Sequence, residues 1–221
     1  MSDLIYRGIT FPIAIVSIIV DIYLWINGVA LFGASFVNYI PAIQIYLVLI
    51  VLLIPLSLYK NTFPIMKLGI AETIIFFVPA FLITAVIFGA LEHPNILNST
   101  TLSYNEIIVS ILFEIFVVAF TEEMFFRGVI QGILENYKIP FPYIWQGILF
   151  GLFHYAAYST VSGTSYGAMF VAMIFGIAMG VIVYIMQLWE HSNYGIAITW
   201  GIHSAWNLVL TVGLLSIGGI I

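Results

Sequence analysis

The chain has 221 residues, of which 63% are hydrophobic and only 7% charged, whereas a soluble domain carries roughly 25% charged residues. Ten acidic and five basic side chains cannot coat a water-facing globule of this length, and the solvent that suits the composition is lipid. A formal net charge of -5 leaves no basic face for a nucleic acid, and the absence of Cys excludes disulfide frameworks, thiolate zinc sites and Cys nucleophiles while saying nothing about redox compartment.

A bilayer core of about 30 Å needs roughly 20 apolar residues as a helix. Seven stretches meet this in chain order: Ile9 to Phe32, Pro41 to Leu58, Ile65 to Ala90, Ile107 to Leu134, Pro142 to Tyr158, Ala168 to Trp189 and Gly195 to Gly219. The first extends beyond a signal-peptide core and reads as a retained span. None alternates apolar and polar residues as a lipid-facing barrel strand would. The expected fold class is therefore all-α, a polytopic membrane bundle of about seven helices forming one domain over 1–221.

Orientation follows from the basic residues. Arg7, Lys60, Lys67 and Lys138 fall on one side, while the loops Gly33 to Ile40, Leu91 to Glu106 and Ser159 to Gly167 contain neither Lys nor Arg. This pattern places the N-terminus in the cytoplasm of a multi-pass plasma-membrane protein. Interfacial aromatics agree: Tyr59, Tyr137, Tyr143, Trp189 and Tyr194 sit at one set of ends, and Tyr39, Tyr104 and Tyr158 at the other. Gly128-x-x-x-Gly132 and Gly176-x-x-x-Gly180 read as surfaces where helices approach closely.

An ionisable side chain near the bilayer centre costs at least ~2.5–3.5 kcal/mol on insertion scales, so each one needs a reason. Those on the expected spans are Asp21, Glu72, Glu114, Glu122, Glu123, Arg127, His154 and His203. Glu122, Glu123 and Arg127 form Glu-Glu-x-x-x-Arg. At about 100° per residue Glu123 and Arg127 share one helix face and pair, whereas Glu122 is turned roughly 100° away and finds no partner in its own helix. Asp21, Glu72 and Glu114 read as interhelical polar contacts, with Glu114 two turns before Glu122 and within reach of the same cavity.

The fifth span supplies Phe150-x-x-x-His154 and the seventh His203-x-x-x-Asn207, each pair on one helix face. Counted from the cytoplasmic helix ends at ~1.5 Å per residue, Glu122, His154 and His203 lie about 18, 18 and 12 Å deep. Three helices thus deliver polar groups to a similar depth, open to the cytoplasmic side. With eight Glu and two Arg in the chain, Glu-Glu-x-x-x-Arg arises by chance on the order of 0.003 times. That motif is specific, and the two histidine motifs carry weight in its company.

A carboxylate, two imidazoles and a carboxamide, with no Ser or Cys in a comparable motif, suit water activation better than a covalent nucleophile. Glu122 assisted by His154 would deprotonate a water, and His203 with Asn207 would donate hydrogen bonds to a developing oxyanion. Two His and one carboxylate are also an accepted catalytic zinc set, though no His-x-x-x-His puts two ligands on one helix.

The three motifs, in this order on a polytopic chain, resemble the CAAX prenyl endopeptidase type II and bacteriocin-processing family, also called the abortive-infection family. The resemblance covers about Ile107 to Val212. It implies an intramembrane glutamate endopeptidase without a cofactor, in which Glu122 and His154 activate water, His203 and Asn207 form the oxyanion hole, and Glu123, Arg127 and Phe150 support them. It further implies a membrane-associated peptide or lipidated protein as substrate, prenylated in eukaryotic relatives. Two readings from other classes remain open on the residues alone: a non-enzymatic immunity or scaffold protein whose polar cluster locks helices together, and a transporter using the same groups as a proton relay.

Overall fold

The computed structural model describes residues 70–90, 111–159, 165–188 and 195–217, together with the single positions 19, 23, 27, 48 and 108. Every element among the described residues is helical. In chain order these are α1 (Ile70–Ala90), α2, α3 (Pro142–Ser159), α4 (Ser165–Leu188) and α5 (Gly195–Ile217). Helix α2 runs through four consecutive pieces, π-helical Phe113–Ala119, α-helical Phe120–Glu122, π-helical Glu123–Ile130 and α-helical Gln131–Asn136. These helices stand where the last five apolar stretches predict them. The first two stretches, Ile9 to Phe32 and Pro41 to Leu58, lie outside the described residues apart from single positions, so what the structure establishes is an all-helical architecture over the described residues. Among the described residues Tyr166–Leu188 is the helix long and apolar enough to cross a membrane by length and composition.

The partition of side chains departs from that in a water-soluble domain, with charged and amide side chains fully buried and large apolar ones exposed. The largest fully buried side chains include Arg127, Gln131, Gln146, Glu122 and Glu123, while Ile74, Ile75, Leu82 and Ile83 on α1 and Phe170, Ile174 and Leu188 on α4 point outward. Apolar residues outside and polar residues inside suit a lipid surround, where burying a polar group against another protein group avoids hydrocarbon.

Local sequence explains the turn that sets α2 against α3. Lys138 takes φ 54°, its N–H donates to the Glu135 carbonyl at 2.9 Å, and the Ile139 N–H reaches back to the Leu134 carbonyl at 2.9 Å. This is the paired 6→1 and 5→2 bonding of a Schellman C-cap. A lysine in the left-handed region pays the steric cost a glycine avoids. Four residues on, Pro142 begins α3, where its missing N–H removes no helical bond.

The most extensive packing is between α3 and α4, followed by α1 against α5. Glycines make the first seam possible. A Cβ on Gly147 would lie 2.7 Å from the Ile177 backbone nitrogen, and one on Gly151 would lie 2.8 Å from the Met169 carbonyl oxygen. Gly176 and Gly180 on α4 face the same seam, so the expected small-residue surface at Gly176-x-x-x-Gly180 is matched by Gly147 and Gly151 across it. Two buried carboxamides hold α4 from two helices: Gln146 Nε2 of α3 donates to the Gly176 carbonyl at 2.6 Å, and Gln131 Nε2 of α2 to the Gly180 carbonyl at 3.2 Å. Helix α5 is held against the first π-helical piece of α2, where Trp200 Nε1 donates to the Ile115 carbonyl at 2.9 Å and its ring meets Phe116 and Phe120 edge-on.

Candidate active site

Adjacent carboxylates on α2 grip opposite edges of one imidazole from α5. Glu123 Oε1 lies 2.7 Å from His203 Nδ1, and Glu122 Oε2 lies 3.5 Å from His203 Nε2. The same Glu122 oxygen lies 3.9 Å from His154 Nε2 on α3. Glu122, Glu123 and His203 are buried, while the His154 side chain keeps 18% of its surface exposed. Three helices therefore bring Glu122, His154 and His203 to one point, as their spacing on separate spans predicts.

The outer ring nitrogens fix how each imidazole presents itself. His154 Nδ1 sits 3.0 Å from the Phe150 backbone carbonyl, one turn earlier on α3. A carbonyl oxygen only accepts, so Nδ1 carries the proton and Nε2 is the atom turned to Glu122. His203 Nδ1 faces the Glu123 carboxylate, likewise an acceptor. One histidine is thus backed by a neutral dipole and the other by a carboxylate.

Glu123 does more than its helical spacing suggests. It pairs with Arg127 at 3.3 Å, both side chains fully buried, as the four-residue spacing predicts. Sequence spacing alone does not reveal its second partner, His203, 80 residues away. Arg127 in turn lies over the Phe150 ring, its Cζ 4.3 Å from the centroid, a cation–π contact worth about 2 kcal/mol when desolvated. The Phe150 ring also meets His154 at 4.4 Å and His203 at 5.9 Å between centroids. Phe150 is therefore the common wall behind the cation and both imidazoles. Phe175 on α4 closes the far side of His203 at 5.0 Å, a contact without a signal in sequence because phenylalanines are common on every span.

Asn207 shares the His203 face of α5, one turn further on, and its Nδ2 donates to Glu114 Oε2 at 3.2 Å. Of the residues singled out as simple interhelical contacts, Asp21 lies outside the described residues, and Glu114 is brought to a site residue. Among the described residues no group of three or more His, Cys, Asp or Glu is arranged to hold a metal ion.

Comparison with known protein families matches residues 104–209 to the model of the type II CAAX prenyl endopeptidase Rce1-like family. The match contains α2, α3, α4 and α5 as far as Val209, and with them every site residue named above. No curated protein and no solved structure matches the chain. Over residues 104–209, just under half of its length, the chain is similar to the type II CAAX prenyl endopeptidase Rce1-like family, a family of membrane-embedded proteases.

Proposed function

We propose that the chain is an intramembrane glutamate endopeptidase of the CAAX-protease type, a multi-pass protein with its N-terminus in the cytoplasm and its site open to the cytoplasmic side. The observation that carries this reading is the convergence of one Glu122 oxygen on the Nε2 atoms of two histidines, at 3.9 Å from His154 and 3.5 Å from His203. These separations exceed a direct N–H···O bond, and in this reading the water lies beside the three groups, on the side where His154 is exposed.

In this scheme the water oxygen attacks the carbonyl carbon of the scissile peptide bond while its proton passes to Glu122, with His154 Nε2 accepting the second hydrogen bond that orients it. The carbonyl oxygen becomes an oxyanion, met by Nε2–H of His203 and the Asn207 amide. His203 then carries both ring protons, one directed to Glu123 and one to the oxyanion. Collapse of the tetrahedral intermediate breaks the C–N bond, and Glu122 returns its proton to the leaving amine. The substrate class is a membrane-associated peptide or lipidated protein, with no cofactor required.

Two histidines tied at Nδ1 and facing a carboxylate through Nε2 also match the outer-shell pattern of zinc ligands, so the metal assay belongs with the activity assay. The experiment compares peptides released in membranes carrying the wild-type chain and Glu122→Gln. Peptides that appear only with wild type, from protein without stoichiometric zinc and in the presence of a chelator, are the expected result. Equal release from both membranes would overturn the endopeptidase reading, and a phenotype retained by Glu122→Gln would favour a scaffold.

A further inference from the structure

We infer that Glu114, which lies outside all three motifs, is a positioning residue for Asn207: its carboxylate sets which end of the Asn207 carboxamide is presented beside His203, and in which plane. The inference rests on the endopeptidase reading and adds a residue to it. A carboxamide has two ends of nearly equal shape and opposite polarity, and only the nitrogen end can donate to an oxyanion. A carboxyl oxygen accepts, and Glu114 Oε2 lies 3.2 Å from Asn207 Nδ2, so the contact engages the nitrogen end.

The backbone puts Glu114 where this is possible. In a straight α-helix Glu114 and Glu122 would sit about 80° apart, eight steps of ~100°. Residues Phe113–Ala119 are π-helical, and the i→i+5 bonding of a π-turn winds fewer degrees per residue, which reduces that offset. The neighbouring Ile115 carbonyl receives Trp200 Nε1 at 2.9 Å. Residues 114 and 115 therefore grip α5 at Trp200 and at Asn207, on either side of His203, and the grip at Asn207 is the one that orients an amide.

The test uses the full chain in membranes, with a peptide ending in farnesyl-cysteine plus three residues as probe, alongside every membrane peptide whose release needs Glu122. Asn207→Ala is expected to lower kcat about 10²–10³-fold, the loss of one oxyanion donor. Glu114→Leu is expected to lower kcat by about 10²-fold with KM within about twofold, and Glu114→Gln, whose carbonyl can still accept, by about 3- to 10-fold. In an Asn207→Ala background, Glu114→Leu should cost less than about threefold, because the group it orients is gone. Thermal unfolding of each variant identifies protein that has not folded, and Glu114→Gln carries the test if Glu114→Leu does not fold. Wild-type kcat in Glu114→Leu, losses that multiply in the double variant, or a raised KM in place of a lowered kcat would each overturn the assignment. If no peptide depends on Glu122, the endopeptidase reading falls and this assignment with it. If release depends on Glu122 but Glu114 and Asn207 act independently, only the Glu114 assignment falls.

Discussion

Two interhelical seams in this molecule bury polar side chains completely, yet they use them differently. Where α4 meets α3 and the end of α2, Gln146 of α3 and Gln131 of α2 each donate to a backbone carbonyl, of Gly176 and Gly180, and glycines bring α3 and α4 close. Where α2 meets α5 and α3, the buried groups are ionisable and contact one another: Glu123 with Arg127 and His203, Glu122 with His203 and His154. A carboxamide on a carbonyl has one neutral state and acts as an anchor. Carboxylates on imidazoles can exchange protons, and in a low-dielectric interior each such exchange has a large electrostatic consequence. On the proposed function this difference separates a packing surface from a reaction centre, although both bury polar side chains completely.

The comparison breaks or sharpens on a graded set of substitutions. The largest effect is expected in the ionisable seam: His154→Ala, at the partly exposed imidazole, should lower turnover about 10²–10⁴-fold while leaving the unfolding midpoint close to wild type. His203→Ala should lower turnover as far and also melt earlier because its ring is buried, both read by peptide release and thermal melts on the same preparation. Arg127→Met leaves the fully buried Glu123 carboxylate without its cation and should cost about 3–5 kcal/mol of stability, seen as poor yield or an early melt. Gly147→Val on the α3–α4 seam forces its side chain into the Ile177 backbone and should cost about 1–3 kcal/mol, with the surviving folded fraction retaining wild-type turnover. Full activity with lost stability in the histidine variants would erase the distinction between the seams.

The smallest effect concerns the C-terminal end of α2. Burial pushes the Glu135 carboxyl up, opposed by hydrogen bonds from Gln131, at 2.9 Å, and Gln187. A carboxyl whose folded-state value lies above its unfolded one binds more protons when folded, so stability falls as pH rises through that interval. Glu135→Gln should flatten the fall, raising the melting temperature slightly at pH 8 relative to wild type and leaving it unchanged at pH 4. A variant that melts identically to wild type at both values would remove Glu135 from the account.

Much of this was legible in the chain itself. The apolar stretches give α3, α4 and α5 within about three residues of their bounds, because Pro142 and Gly195 mark helix starts and lipid demands long unbroken runs. Glu123 with Arg127, and Glu122 aimed away from its own helix, follow from helical periodicity. The rest depends on contacts between distant residues. Nothing in the spacing of Glu123 points 80 residues ahead to His203, and the buried roles of Gln131, Gln146 and Trp200 carry no charge to flag them. Glu114 was visible as an expensive carboxylate, but its partner depends on the winding of the π-helical Phe113–Ala119, which residue types do not announce. The orientation and the first two expected spans rest on composition and loop charge alone.

The most direct measurement runs membrane proteolysis in H₂¹⁸O with the wild-type chain and with Glu122→Gln, following both the released peptides and the protein itself by mass spectrometry. A water activated by Glu122 and His154 puts one ¹⁸O into the new carboxylate of the N-terminal product in the first turnover, puts none into Glu122, and produces no labelled product with Glu122→Gln. Label appearing in the Glu122 carboxylate, or labelled products released equally by both chains, would contradict it.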